Sequence, residues 1–111
     1  MGVSRASFMN CYSIPDLLRL LRSERAERVQ VDAGYAPKLV VKGESHEIEG
    51  PAVAEESVEE MLRAVASTRD MRAFRKTGTV DIVVSFEGSR FLVRAVRAFS
   101  ECRLELQPIP V

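Results

Sequence analysis

The sequence is poor in the residues that catalysis and metal binding most often use. Its 111 residues include one histidine, two cysteines and no tryptophan. A metal site, a Ser-His pair or a Cys-His dyad would each have to use His46. That histidine stands between the polar Ser45 and Glu47, a pattern typical of a surface strand. We therefore expect no catalytic residue, no metal site and no cofactor, and the chain is predicted not to be an enzyme.

The two cysteines, Cys11 and Cys102, lie far apart and lack the spacing of metal ligands. Arg103 beside Cys102 is one argument for a reactive thiol, because a neighbouring cation lowers a thiol pKa. A partly packed thiol is the favoured interpretation. The first ten residues carry no continuous apolar stretch typical of an export signal. Reduced thiols and a cytoplasmic location are expected for such a chain.

Neither net charge nor long apolar runs are present. Basic and acidic residues balance at 16 each, so no overall field favours nucleic acid. No apolar run approaches the ~18 residues that span a bilayer. We expect no nucleic-acid partner and no membrane insertion. The basic residues of the segment 69–76 spiral around a predicted helix together with Asp70, which favours a solvated face over a phosphate-binding patch.

Helical periodicity appears in three places. Residues 1–12 show no period and are predicted to be a flexible tail, and residues 13–111 are long enough for one domain. Apolar residues spaced i, i+3, i+4, i+7 predict one helix from Ser13 and another from about Glu55. A third, shorter helix is predicted between Ser67 and Gly78. The glutamates of the second helix are expected to face solvent.

Alternating apolar and polar residues predict the strands. One strand contains Val29 and Val31, and a hairpin reverses at Gly43-Glu44. A three-stranded meander begins near Val80, with its first turn at Glu87-Gly88. The element order is α-β-β-β-α-α-β-β-β. It predicts the α+β class, as a two-layer domain with an antiparallel sheet and helices on one face.

The opposite sheet face is the best candidate for a functional surface. A face that mixes valine and leucine with arginine would suit contact with a protein, provided that the apolar residues are contiguous. Asp81 is expected to form an ion pair across the hairpin with Arg90 or Arg94. The candidate partner surface consists of Arg28, Val40, Val83, Leu92, Arg94 and Arg97.

Several short motifs recur in order along the chain. They are Asp16-Leu17-Leu18, the trio Gly34, Pro37 and Gly43, the spaced set Phe74, Gly78 and Asp81, the run Arg90-Phe91-Leu92-Val93-Arg94, and Ile109-Pro110. Together they resemble the N-terminal domain of the type IV pilus retraction ATPases, the PilT family, and their secretion-ATPase relatives. The resemblance runs from about Ile14 to Pro110. It implies a PAS-like domain connected with type IV pili, twitching motility or secretion.

The departures from that family concern its polar residues. Arg28 and Gln30 stand where the family has Asp and His, and Val40, Leu92 and Gln107 stand where it has arginines. In the family these residues serve nucleotide-linked contacts and packing against the ATPase domain of a neighbouring subunit, so neither role is expected here. The sequence also contains no Gly-x-x-x-x-Gly-Lys-Ser/Thr loop, which excludes ATP hydrolysis by these residues alone.

The leading hypothesis is therefore a non-catalytic protein-interaction module. Its partner would be a pilus or secretion motor component, or a second copy of the chain. One alternative is a PAS-like sensor that holds a small ligand among Met61, Met71 and Phe74. Core packing is the favoured interpretation of these three residues. The other alternative is the N-terminal piece of a longer ATPase.

Overall fold

Three helices and six strands follow one another in the predicted order. The computed structural model describes residues 12–99 and 101–110. The elements are α1 (Ile14–Ser23), β1 (Arg28–Asp32), β2 (Lys38–Val41), β3 (Glu44–Glu47), α2 (Glu55–Val65), α3 (Thr68–Thr77), β4 (Thr79–Phe86), β5 (Ser89–Ala98) and β6 (Glu101–Pro108). The predicted α+β class and element order are confirmed. The predicted tail falls, except for residue 12, outside the described residues.

The strands form a single antiparallel sheet in the order β3-β2-β1-β6-β5-β4. Its two central strands come from opposite parts of the chain. Val29 of β1 lies opposite Leu106 of β6, and Val31 lies opposite Leu104. This one pairing joins the N-terminal strands to the C-terminal meander, and all four of its side chains are fully buried.

Local signals in the sequence account for the helix ends. The Ser13 hydroxyl accepts a 3.2 Å hydrogen bond from the Asp16 amide and caps α1. Ser67 and Asp70 form a reciprocal capping box at the start of α3. That helix ends at Gly78, whose φ of +83° is the left-handed conformation that glycine adopts without strain.

The core lies between the three helices and one face of the sheet. Leu18, Leu62 and Phe74 supply large buried side chains from α1, α2 and α3 in turn. Phe91 and Leu104 meet them from the sheet, and each of the five is at most 2% exposed. Burial at this level contributes about 1.5 to 3 kcal/mol for each large apolar side chain.

Two hairpins turn through two-residue loops in which both residues have positive φ, as a type I′ turn requires. In the β4–β5 hairpin they are Glu87 and Gly88, with φ of 50° and 80°, as predicted. In the β2–β3 hairpin they are Lys42 and Gly43, with φ of 51° and 79°. The prediction of a Gly43-Glu44 turn was one residue late, because Glu44 already pairs with Val41.

Candidate partner surface

The side chains of the sheet divide sharply between its two faces. In β5, Phe91, Val93 and Ala95 point toward the helices and are at most 2% exposed. The alternate positions, including Leu92 and Arg94, point the other way. Among residues 12–99 and 101–110 no helix packs on this second side, which we call the open face.

Five of the six candidate residues lie on the open face: Arg28, Val40, Val83, Leu92 and Arg94. Arg97 does not. It is an even number of residues from Phe91 and Val93 along β5, so its side chain lies on the helix side with theirs. The placement of Arg97 on the candidate surface is corrected accordingly. The six residues therefore do not form one patch.

Ion pairs cross the open face between neighbouring strands. Arg94 Nε donates to Asp81 Oδ1 across 2.9 Å, and Nη2 donates to Oδ2 across 3.3 Å. Arg94 also lies opposite Glu105 of β6, which Arg28 approaches to 3.4 Å from β1. Hydrogen bonding to Asp81 raises the pKa of Arg94 above its usual value. Of the two partners expected for Asp81, the structure selects Arg94.

An uncharged row lies beside these pairs. Val83, Leu92 and Gln107 are cross-strand neighbours on β4, β5 and β6. Val83 is 53% exposed, and Leu92 and Gln107 are half-buried. We call these three residues the uncharged row. It contains two of the three positions, Leu92 and Gln107, at which this chain departs from the arginines of the family that it resembles.

The remaining open-face candidate, Val40, contributes little surface. It lies opposite Arg28 on β1 and Ser45 on β3, and it is only 4% exposed. The sequence reasoning also missed Gln107 as part of the surface. Its pairing with Leu92 follows from the β5–β6 register, which the sequence pattern alone does not give.

Three other residues singled out in the sequence have ordinary structural environments. Cys102 is 1% exposed, and burial raises its thiol pKa, with Arg97 opposing that shift. His46 is exposed on the outermost strand, 3.8 Å from a Glu44 carboxylate oxygen. Glu59 was expected to face solvent, but it is half-buried and bonded to Arg97.

The helix–sheet interface is packed at the position suggested for a small ligand. Phe74 is 1% exposed and Met61 is 6% exposed, both inside the core, and Met71 packs against that core. None of the three lines either of the two surface clefts described in this part of the chain.

Within residues 12–99 and 101–110, no group of three or more histidine, cysteine, aspartate or glutamate side chains is arranged to hold a metal ion. None of the three helices described combines the length and apolar character needed to cross a membrane.

The fold is that of a domain found in motor ATPases. Superposition on the pilus retraction motor PilT with bound ADP gives a TM-score of 0.81 at 16% identity, over 90% of this chain and 30% of that one. The ATPase DotB of Legionella pneumophila gives a TM-score of 0.73 at 14% identity, over 90% and 30% of the two chains. DotB of Yersinia pseudotuberculosis gives 0.65 at 16% identity, over 86% and 29%.

The matched part of these proteins is their N-terminal domain, so the resemblance read from the sequence is confirmed for the fold. The chain spans about 30% of the length of PilT and of the Legionella DotB. No protein-family model matches the chain, and no curated protein matches it.

Proposed function

We propose that this chain is a non-catalytic protein-interaction module that docks through its open face onto a pilus or secretion motor component. The uncharged row carries the proposal. Two partly exposed apolar residues and one uncharged polar residue beside a row of ion pairs resemble the centre and rim of a protein interface, where apolar residues are desolvated and charges lie at the edge.

The dimensions of the open face suit such an interface. Six strands spaced about 4.8 Å apart make the sheet about 25 to 30 Å wide, and its longest strands extend about 30 Å. This area approaches the ~800 Å² that one partner contributes to a standard interface. The ion pairs of Arg94 and Arg28 are already satisfied within the chain, so a partner need not neutralise an isolated charge there.

The fold comparison suggests the kind of partner. Both PilT and DotB are ATPases, and the matched domain in each is part of a larger protein. A domain of the same shape with an uncharged row at this position would contact a motor protein through side-chain packing. A second copy of the chain is the other partner compatible with the same surface.

The test is binding of the purified chain to a purified PilT-type or DotB-type ATPase from the same organism. Sedimentation velocity would measure complex formation and self-association in the same experiment. Val83→Asp places a carboxylate in the uncharged row and should weaken the complex about tenfold or more. The matched control is Ala64→Asp, which adds the same charge at an exposed position on α2.

Loss of binding in Val83→Asp with retention in Ala64→Asp supports the proposal. Two results would contradict it. One is a wild-type chain that neither binds the motor nor self-associates. The other is equal affinity of the Val83→Asp and Ala64→Asp variants for the motor ATPase. Circular dichroism and unfolding curves for both variants establish that the comparison is between folded proteins.

A further inference from the structure

A second surface feature lies on the helix side of the sheet, opposite the face that carries the uncharged row. A cleft of about 520 Å³ opens between the C-terminal end of α1, the β4–β5 turn and the segment after β6. Its volume falls within the range of about 300 to 1,000 Å³ typical of small-molecule sites. Pro108, Ile109 and Pro110 supply apolar lining above the buried Leu21 and Phe91, and Arg22 and Arg25 supply two positive charges.

Arg25 occupies a position where glycine is favoured. The amide of Arg25 bonds to the Arg22 carbonyl, and the amide of Ala26 bonds to the Leu21 carbonyl. These two bonds form a Schellman motif, in which the residue at the Arg25 position is left-handed and usually glycine. Arg25 has a φ of +53°, a conformation that is strained for a residue with a Cβ atom.

This strained residue has no compensating contact in the described part of the chain. No carboxylate among residues 12–99 and 101–110 forms an ion pair with Arg25. Departures from a local sequence rule without an evident structural gain concentrate at functional sites. Arg25 is one of the residues that line the cleft, which is where a compensating contact with a ligand would form.

The two other arginines of the cleft, Arg22 and Arg90, differ in how they are held. Arg22 Nη2 lies 3.0 Å from Glu87 Oε1, and Nη1 bonds to the Glu87 carbonyl, so Arg22 is fixed and its charge is balanced. Arg90 lies two residues before Leu92 on β5, so its side chain points toward the open face. Its carbonyl accepts a 3.0 Å bond from the Ile109 amide, which holds the segment after β6 against the cleft.

The cleft thus presents one uncompensated guanidinium group, that of Arg25, beside an apolar lining. We propose that it binds a small organic anion, in which a phosphate, sulfonate or carboxylate group is attached to an apolar or aromatic body. Guanidinium groups pair with such oxyanions through charge-assisted hydrogen bonds. An aromatic or aliphatic body would pack against Pro108, Ile109 and Pro110.

A matched pair of fluorescent probes tests the proposed ionic contact and the proposed apolar contact separately. 8-Anilinonaphthalene-1-sulfonate carries a sulfonate on an aromatic body, and N-phenyl-1-naphthylamine is a closely related body without the charge. The folded wild-type chain should bind the sulfonate probe at one saturable site, and more tightly than the neutral probe. The affinity should fall with rising salt, as an ionic contact requires. Inorganic phosphate, a headgroup alone, should compete only weakly.

Arg25→Gly is the most informative variant, because ligand binding and folding should respond in opposite directions. Glycine relieves the left-handed strain, so the midpoint of urea unfolding should rise or stay unchanged. Loss of the guanidinium should weaken sulfonate binding about tenfold or more. Arg72→Gln, which removes an exposed arginine of α3 outside the cleft, should have no effect.

Amide chemical shifts provide a second measurement in case a variant unfolds. Titration of the wild-type chain with the sulfonate probe should shift the amides of Ala26, Gly88 and Ile109 most strongly. The proposal is overturned by unsaturable binding, by equal affinity for the two probes, or by equal sulfonate affinity in Arg25→Gly and Arg72→Gln. Because these residues are not in the uncharged row, failure here leaves the proposed docking function standing.

Discussion

Arg97 of β5 donates a 2.6 Å hydrogen bond from Nη2 to Oε2 of Glu59 on α2. The same guanidinium lies 5.0 Å from the centre of the Phe74 ring on α3. One side chain therefore connects the sheet to two helices at the margin of the core. Hydrogen bonding to Glu59 raises the pKa of Arg97, while partial burial opposes that shift.

Replacing Arg97 should destabilise the fold more than replacing an ordinary surface arginine. Arg97→Met keeps the aliphatic contact but removes both the ion pair and the cation–π contact, so we expect a loss of about 1 to 2 kcal/mol. Urea unfolding measures the change. A double-mutant cycle with Glu59→Gln should give a coupling energy of about 0.5 to 1 kcal/mol.

Arg63→Met is the control for that cycle. Arg63 approaches the other Glu59 oxygen at 3.6 Å, but it is more exposed and lies one helical turn along α2. Its coupling to Glu59 should be only about 0.3 kcal/mol, as for other helix-surface pairs. Equal couplings for Arg63 and Arg97 would contradict the bridging role of Arg97.

Cys102 should make stability fall at alkaline pH. Burial raises the pKa of the Cys102 thiol above its ordinary value, so the folded thiol stays protonated where the unfolded thiol ionises. The contribution is fully present below about pH 9 and is lost as the pH rises toward the higher folded pKa. The slope is at most about 1.4 kcal/mol per pH unit.

The test of this pH dependence compares a chain that has the Cys102 thiol with a Cys102→Ala chain, and both carry Cys11→Ser. Urea unfolding between about pH 7 and about pH 10 should show a steeper loss of stability with Cys102 than with Cys102→Ala. All other titrating groups are common to the two chains, so the difference in slope belongs to this thiol. Parallel pH profiles would show that Cys102 is not shielded from water.

The sequence predicted the elements well, because their signals are local. Ser67 with Asp70, Gly78 and the glycine of each tight turn set boundaries within a few residues of themselves. Arg97 was misplaced for a different reason. Strand alternation assigns it to the same face as Phe91 and Val93, but a charged side chain breaks the apolar pattern that identifies the inner face.

The candidate surface depends on contacts that no local pattern specifies. The β1–β6 pairing and the opposition of Leu92 and Gln107 are set by long-range register. The cleft likewise joins α1 to the β4–β5 turn and the segment after β6. Arg25 was not singled out from the sequence, because its left-handed conformation at the end of α1 is visible only in the structure.

The type I′ turn at Lys42-Gly43 offers a direct route to a more stable chain. Lys42 has a φ of +51°, and asparagine adopts this conformation more readily than lysine does. Lys42→Asn should therefore raise the free energy of unfolding by about 0.5 kcal/mol. Lys42→Val, a β-branched residue at positive φ, should lower it by about 1 kcal/mol. Urea unfolding of both variants checks the sign of each change.

Two of the three positions where the family that this chain resembles has arginine, Leu92 and Gln107, should interact if both are changed. Leu92→Arg and Gln107→Arg would place like charges directly opposite each other on β5 and β6. The double variant should be less stable than the sum of the single changes by about 0.2 to 1 kcal/mol. Combining Leu92→Glu with Gln107→Arg should reverse the sign of the coupling energy, because the two side chains then carry opposite charges. Both couplings should shrink near 1 M salt, where the Debye length is only about 3 Å. Couplings of the same sign in both cycles would show that these two side chains do not meet on the open face.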